Sequence, residues 1–406
     1  MTPFDVYPLL NIEPVLAHGC TITDSNGIDY LDLYGGHAVI SIGHSHPHYI
    51  ERLENQLHKI GFYSNMVQNS LQKELAQKLG NMSGYPDWSL FLCNSGAEAN
   101  ENALKLAAFY TGRTKVLAFT NAFHGRTAGS VACTDNHKIR SPFSLSSESV
   151  TFVPLNDIEF VEKALSTHQY AAVIIEGIQG VAGIVMPNNH FFHDLRRVCT
   201  QTQTLLVLDE VQSGYGRTGA FFAHQHSGIQ PDLITIAKGM GNGFPIGGVL
   251  ISPCMKAIHG QLGTTFGGNH LSCVAALAVL EVIEAESLIS NAQKVGEYLL
   301  DQLSPLCADV PGTTSVHSST QSPSISGIRG KGLMIGFEAP FQYTFLRNDL
   351  LFKEHIFVGT AGTHTIRLLP PLCLSLLQAQ QFITSLTSLL DNNKLLTTNQ
   401  QFSTLN

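Results

Sequence analysis

Asp209 and Lys238 stand 29 positions apart, and each closes an apolar run. Asp209 ends TLLVLD and opens DEVQ; Lys238 ends LITIAK and opens KGMGNGFPIGG. Short apolar runs of this kind read as buried strands, so a carboxylate and an amine are set at two strand ends. An amine can condense with an aldehyde. A carboxylate can hold a pyridine nitrogen protonated, so that the ring draws in electrons. Pyridoxal phosphate needs that pair. Alone, the two residues read more readily as a lone lysine at a strand end or a buried Asp–Lys ion pair, and the surrounding motifs reverse that reading.

Three motifs add what such a cofactor requires. In LFLCNSGAEANENALKLA a strand ends at Cys93 and a helix starts near Ala97. Ser95 and Glu98 have capping-box spacing. Gly96 lets backbone approach a ligand, and the helix start favours a phosphate. In NAFHGRT, Phe123 can lie flat on a ring and Arg126 can hold a carboxylate in two hydrogen bonds. GTTFGGNH sets the hydroxyls of Thr264 and Thr265 before a glycine turn, which suits phosphate. Each motif alone has a plain structural reading: a capped helix, a surface turn, a loop.

Two other patterns are decoys. GYGRTG at 214–219 fits G-x-G-x-x-G, but Glu210 to Ser213 separate it from the strand and no helical pattern follows. GHSHPH at 43–48 offers His44, His46 and His48, yet nothing marks further ligands, so no metal is expected.

The elements that must position these groups alternate in kind. From 90 to 252 seven apolar runs (LFLC, VLAF, VTFV, AAVIIE, TLLVLD, LITI, GVLIS), several separated by helix-length segments, predict an α/β fold with a mostly parallel sheet covered on both faces. Ligands in such sheets bind beyond the carboxyl ends of the strands, where Asn94, Glu176, Asp209 and Lys238 fall. Residues 1–45 read as an arm and short strands around an Asn26-Gly27 turn. Residues 46–275 read as the large domain and 276–406 as a smaller α+β domain, with strands in GLMIGFE and HTIRLLPPL. Residues 312–327 read as a Ser/Thr-rich surface loop, and the tail after about 392 as frayed.

Composition narrows the class. The chain has 406 residues, 44% hydrophobic and only 13% charged, which suits a large compact core. A net charge of −8 disfavours nucleic acid, and an anionic substrate must be caught by local arginines. Eight cysteines without a C-x-x-C pair read as reduced thiols of a cytoplasmic protein. No signal peptide and no membrane span is expected.

Together the motifs resemble the class III pyridoxal-phosphate aminotransferases, in the acetylornithine/succinylornithine branch. The similarity runs from DYLDLYGGHAV through SGAEANE, FHGRT, LDEVQSGYGRTG, AKGMGNGFPIGG and TFGGN to IRLLPPL. The resemblance implies fold type I and a homodimer with shared active sites. It makes Lys238 the lysine that condenses with the cofactor and moves the proton, and Asp209 the partner of the pyridine nitrogen. Phe123 and Val211 would cover the ring faces, Gln212 would reach its phenolic oxygen, and Ser95, Gly96 and Ala97 would cradle the phosphate. Glu210 is grouped with these cofactor-binding residues. Thr265 would reach the neighbouring subunit's phosphate, with Thr264 beside it near the substrate. Arg126 would hold the donor's α-carboxylate and Arg367 a carboxylate of 2-oxoglutarate. The implied reaction moves the distal amine of an N-acylated ornithine to 2-oxoglutarate in arginine biosynthesis. Ornithine, 4-aminobutyrate or acyl-lysine as donor, a pyridoxal-phosphate aminomutase or decarboxylase, and a cofactor-binding regulator are the competing readings.

Two departures bear on the substrate. The family's EPIQGEGG is EGIQGVAG here, so Val181 replaces a glutamate implied to neutralise the arginine at Arg367. His37, near the substrate's distal part by resemblance, stands where relatives carry an aliphatic residue or a tyrosine. It reads equally as a packing histidine. Both changes tilt the site towards positive charge, and so towards an acyl group bearing its own carboxylate, succinyl rather than acetyl.

Overall fold

The computed structural model describes residues 1–142, 149–307, 325–340 and 343–403. All seven apolar runs enter one seven-stranded sheet. Its order is Ser89–Cys93, Gly247–Ile251, Leu233–Ile236, Leu205–Asp209, Tyr170–Glu176, Lys115–Phe119, Val150–Val153. Gly247–Ile251 alone runs against the rest.

The central strands Tyr170–Glu176 and Leu205–Asp209 are buried at every position. Alternate residues face opposite layers. Ala172, Ile174 and Val207 pack with Ala99, Ala103 and Leu106 of the helix Gly96–Thr111. Val173, Ile175 and Leu206 pack with Val161, Phe191 and Leu195 of the helices Ile158–Leu165 and Asn189–Thr202. Two covered faces explain why these strands read as continuous rather than alternating apolar runs. The helix His270–Ala285 is apolar almost all round and buries against Pro47–Leu57 and Ser70–Ser83.

Two four-stranded sheets complete the architecture. Thr21–Asp24 and Asp29–Asp32 form the hairpin expected around Asn26-Gly27. Pro14–His18, read from sequence as arm, pairs onto it, and Ile356–Phe357 adds in parallel at the other edge. Met334–Glu338 and Thr365–Leu368 are adjacent antiparallel strands that set Gly336 opposite Arg367. The expected loop at 312–327 lies outside the described residues up to 324; from Ser326 the chain is strand, to Lys331. The tail as far as Ser403 continues the helix Leu376–Ser403. All eight cysteines are free thiols, including Cys20 and Cys373 with sulfurs 3.7 Å apart.

Candidate active site

Strand register sets the site. Glu176 pairs with Asp209, and Asp209 with Thr235, so three strand ends lie in one row. Two residues past the strand Leu233–Ile236, Lys238 turns back with φ of 46°, a left-handed conformation uncommon for a side chain of this size. A cavity of about 410 Å³ opens beyond these ends. It brings together Ser95, Gly96, Ala97, Phe123, Arg126, Asp209, Val211, Gln212 and Lys238 from the sequence reading.

One wall is a helix start. Ser95 caps Gly96–Thr111 by accepting from the Glu98 backbone N–H at 3.2 Å. The box closes one residue early, because the Glu98 carboxylate returns to the backbone N–H of Asn94 at 2.8 Å instead of Ser95. Gly96 and Ala97, in the first turn, have no intrahelical acceptor for their N–H groups. A Cβ on Gly96 would meet Val211 Cγ1 at 2.7 Å, so only glycine lets this turn approach the opposite wall.

Asp209 is held on three sides. Its Oδ2 accepts from Asn100 Nδ2 at 2.8 Å and bonds His124 Nδ1 at 2.7 Å, and its Oδ1 accepts from the Val211 backbone N–H at 3.0 Å. Thr235 in turn donates to Asn100 at 2.7 Å. Burial pushes the Lys238 amine below the ordinary lysine range, against the pull of Asp209 and Glu176, while Arg367 adds to the depression. Glu176 accepts from the backbone N–H groups of Phe123 and Gly180, both at 3.0 Å. Burial carries its carboxyl up to about 7.

Three polar groups at the site await partners. His124 Nε2 and Gln212 Oε1 are buried without a hydrogen bond among the described residues. Arg126, exposed on the cavity, has no ion pair among the described residues. Such a set, with an amine of depressed pKa and a helix start, fits a planar polar cofactor carrying a phosphate.

Other sequence-predicted residues fall elsewhere. The Glu210 carboxylate turns away from the cavity into the core. There it bonds Ser213 Oγ at 2.6 Å, His224 Nδ1 at 2.7 Å and the backbone N–H groups of Ala223 and His224. The reason is geometric: Asp209 ends the strand facing the cavity, and the next residue projects to the other side. Thr265 is exposed and outside its own chain's cavity. Thr264 touches the rim, where its hydroxyl accepts from Asn94 Nδ2 at 3.4 Å. Arg367 and His37 do not line the cavity. They stand behind its wall: Gln212 Nε2 donates to the His37 carbonyl at 3.2 Å, and Arg367 Nη1 donates to the Gly180 carbonyl at 2.8 Å. The histidines of GHSHPH each take a separate acid, His44 with Asp32, His46 with Glu286 and His48 with Glu281. GYGRTG is a run of turns.

Sequence reasoning assigned no role to His124, Glu176 or Tyr34. His124 and Glu176 sat inside quoted motifs, one in FHGRT and one at a strand end, and those positions were the available signals.

Comparison with known proteins agrees with this architecture. The family model described as aminotransferase class-III matches residues 6–390. The acetylornithine aminotransferase of Archaeoglobus fulgidus is 41% identical over 88% of this chain and 90% of its own. That of Bacillus subtilis is 38% identical over 91% and 92%. Among solved structures, an ornithine aminotransferase from Toxoplasma gondii superposes with a TM-score of 0.85 at 26% identity, covering 96% of this chain and 93% of that one. A second structure of the enzyme, crystallized with oxidized glutathione, has partial occupancy of PLP at the active site, with a TM-score of 0.85 and 25% identity over the same shares. The acetylornithine aminotransferase of Elizabethkingia anophelis gives 0.78 at 28% identity, over 95% and 94%. With the strand-end carboxylate and lysine in one cavity and the family model matched almost from end to end, the chain belongs to the class-III aminotransferases.

Proposed function

We propose that this enzyme transfers the distal amino group of an N-acylated ornithine to 2-oxoglutarate, releasing the semialdehyde and glutamate, in arginine biosynthesis. The observation that carries the reading is Asp209 and Lys238 in one cavity with Arg126 at its edge, free of a counter-ion among the described residues. The acetylornithine aminotransferases at 38–41% identity support the donor class.

The cofactor is pyridoxal phosphate. Ser95, Gly96 and Ala97 would hold its phosphate, Phe123 and Val211 its ring, Gln212 its phenolic oxygen and Asp209 its ring nitrogen. Bound there, it supplies an electron-accepting ring. The residues do the rest. Arg126 anchors the donor's α-carboxylate and so leaves the distal amine to extend towards Lys238. Acylation of the α-amine leaves one amine to react. Lys238 Nζ, whose proton affinity burial reduces, would take the proton from the donor carbon that bears the distal amine and pass it to the cofactor rather than back to the donor. Such a step typically contributes about 10²–10⁴-fold. Arg367 receives a carboxylate of 2-oxoglutarate. One site serves both substrates, so parallel double-reciprocal lines are expected.

A homodimer fits the exposed surface. Phe62, Tyr63, Met66 and Val67 are exposed, Met66 at 92%, and Phe62 lies tilted against exposed Phe266, 5.4 Å between ring centres. Asn65 ties this patch to the backbone of Thr264 and Gly267. A second copy covering the patch would bring Thr265 towards the neighbouring cavity. The eight free thiols support a cytoplasmic location. Among the described residues no helix is long and apolar enough to cross a membrane.

The test is a donor panel with 2-oxoglutarate: acetylornithine, succinylornithine, ornithine and 4-aminobutyrate. An acylornithine should give the highest kcat/KM, and an uncharged Val181 on the cavity wall, where the family has a glutamate, favours the succinyl form. Turnover of ornithine or 4-aminobutyrate alone would sink the reading.

A further inference from the structure

Arg367 is a buried cation held by neutral groups. It is 5% exposed and makes no ion pair among the described residues. Its Nη1 donates to the Gly180 carbonyl at 2.8 Å, its Nη2 reaches Tyr34 Oη at 3.5 Å, and its Nε has no partner among the described residues. The guanidinium carbon lies 6.0 Å from the centre of the Tyr34 ring. Tyr34 Oη in turn bonds His37 Nδ1 closely.

This arrangement is built at the expense of backbone strain. Gly35, Gly36, His37 and Ala38 all have φ between 54° and 68°, one left-handed turn. Left-handed conformation is unfavourable for His37 and Ala38. The Asp32 carboxylate clamps the turn by accepting from the N–H groups of Tyr34 and Gly35 at 2.9 and 2.8 Å, and Gln212 holds the His37 carbonyl. Partial burial, then the charges of Lys238, Arg367 and Arg126, lower the His37 pKa, so its ring is neutral and Nδ1 can accept. The hydrogen bonds then run one way, from Arg367 to Tyr34 to His37.

We propose that Tyr34 and His37 form a neutral shutter over Arg367, which keeps this arginine out of the cavity until a carboxylate of 2-oxoglutarate displaces the Tyr34 hydroxyl. A buried guanidinium lacking both a counter-ion and a partner at Nε is primed for an incoming anion. A neutral cap yields to one more readily than a carboxylate would, because no ion pair must break. The cap is also why the α-carboxylate of the amino donor meets Arg126 before Arg367. Tyr34 and His37 are therefore specificity-determining residues of the acceptor half of the reaction, and this rests on the aminotransferase reading above.

The test uses the holoenzyme. Wild-type turnover of an acylornithine with 2-oxoglutarate is measured first, and its absence would overturn the function and not the shutter alone. Tyr34→Phe keeps the ring and removes the hydroxyl. It should lower the KM for 2-oxoglutarate roughly three- to tenfold, the size of one long, weak hydrogen bond. It should also make ornithine a stronger competitor of 2-oxoglutarate. His37→Gly keeps the positive φ and removes the acceptor, so it should act in the same direction; His37→Asn, which tolerates this backbone and retains an acceptor, should restore wild-type behaviour. A KM for 2-oxoglutarate that is unchanged or raised in both Tyr34→Phe and His37→Gly, with the visible cofactor spectrum intact, overturns the proposal. If Tyr34→Phe does not fold, His37→Gly decides alone.

Discussion

His124 Nδ1 bonds Asp209 Oδ2 at 2.7 Å, with both side chains buried. The histidine rises from the FHGRT turn, one residue after Phe123 and two before Arg126. One short turn thus sets Phe123 and Arg126 on the cavity and, between them in sequence, clamps the strand-end carboxylate. His124→Phe should keep the volume and lose the clamp. Asn100 and the Val211 N–H would still hold Asp209, so the protein should fold. A hydrogen bond to a charged group carries roughly a 10- to 100-fold effect. That loss should appear in cofactor dissociation, followed by absorbance during dialysis, and in kcat.

Lys238→Ala should abolish turnover, measured as glutamate formation, with a loss of at least about 10²–10⁴-fold. It should not lower the melting temperature of the cofactor-free protein. The amine is depressed by burial, and φ is 46°, so the native lysine is held against desolvation and strain. A clear drop in melting temperature would mean instead that Lys238 stabilises the fold through Asp209.

Glu176 gives a pH signature. Its carboxyl lies at about 7 in the fold against 4.5 in the reference state. The folded protein therefore binds the proton more tightly than the unfolded chain. The stabilisation is complete below 4.5 and is lost as pH rises through about 7. Glu176→Gln cannot titrate. Relative to wild type, its stability should improve between these pH values by on the order of 3 kcal/mol, read from urea midpoints of the cofactor-free protein. Loss of an N–H acceptor adds a constant offset and leaves the slope alone. A flat difference across this range would show that Glu176 is charged throughout.

Much of the scaffold was legible because it rests on local rules. Continuous apolar runs gave all seven strands, and a polar residue closing a run gave Asp209 and Lys238. The placing of Glu210 beside Asp209 has the same origin: adjacency in DEVQ says nothing of which side a residue faces once the strand has ended, and the carboxylate bonds Ser213 and His224. Arg367 reads from sequence as an anion ligand, but its contact with Tyr34 does not. Tyr34 is brought across 333 positions beside a left-handed turn whose only trace in sequence is Gly35-Gly36. His124 and Glu176 were hidden because His124 meets Asp209, and Glu176 the Phe123 N–H, only once the strands lie side by side, and register is a tertiary property.

Glu210→Ala should be severely destabilising. The carboxylate serves Ser213, two backbone N–H groups and His224, and His224 Nε2 continues to Tyr85 Oη at 2.6 Å. Removing one member of a buried charged network typically costs about 3–5 kcal/mol. Chemical denaturation should show that loss. Near-wild-type stability combined with weakened cofactor binding would return Glu210 to the cofactor site.

Val181→Glu tests the charge balance around Arg367 from the other side. Val181 is 45% exposed on the cavity wall, and its neighbour Gly180 supplies the carbonyl that Arg367 Nη1 binds. A glutamate there can reach the guanidinium and compete with the carboxylate of 2-oxoglutarate. The position is partly wet, so the pair should be weak, and the KM for 2-oxoglutarate should rise roughly two- to fivefold. The effect should shrink at high salt, because screening weakens a partly exposed pair. Competition by ornithine against 2-oxoglutarate should fall in step, the reverse of the Tyr34→Phe effect. If both variants move the KM the same way, Arg367 is being displaced and not unmasked, and charge at this wall does not select the acceptor.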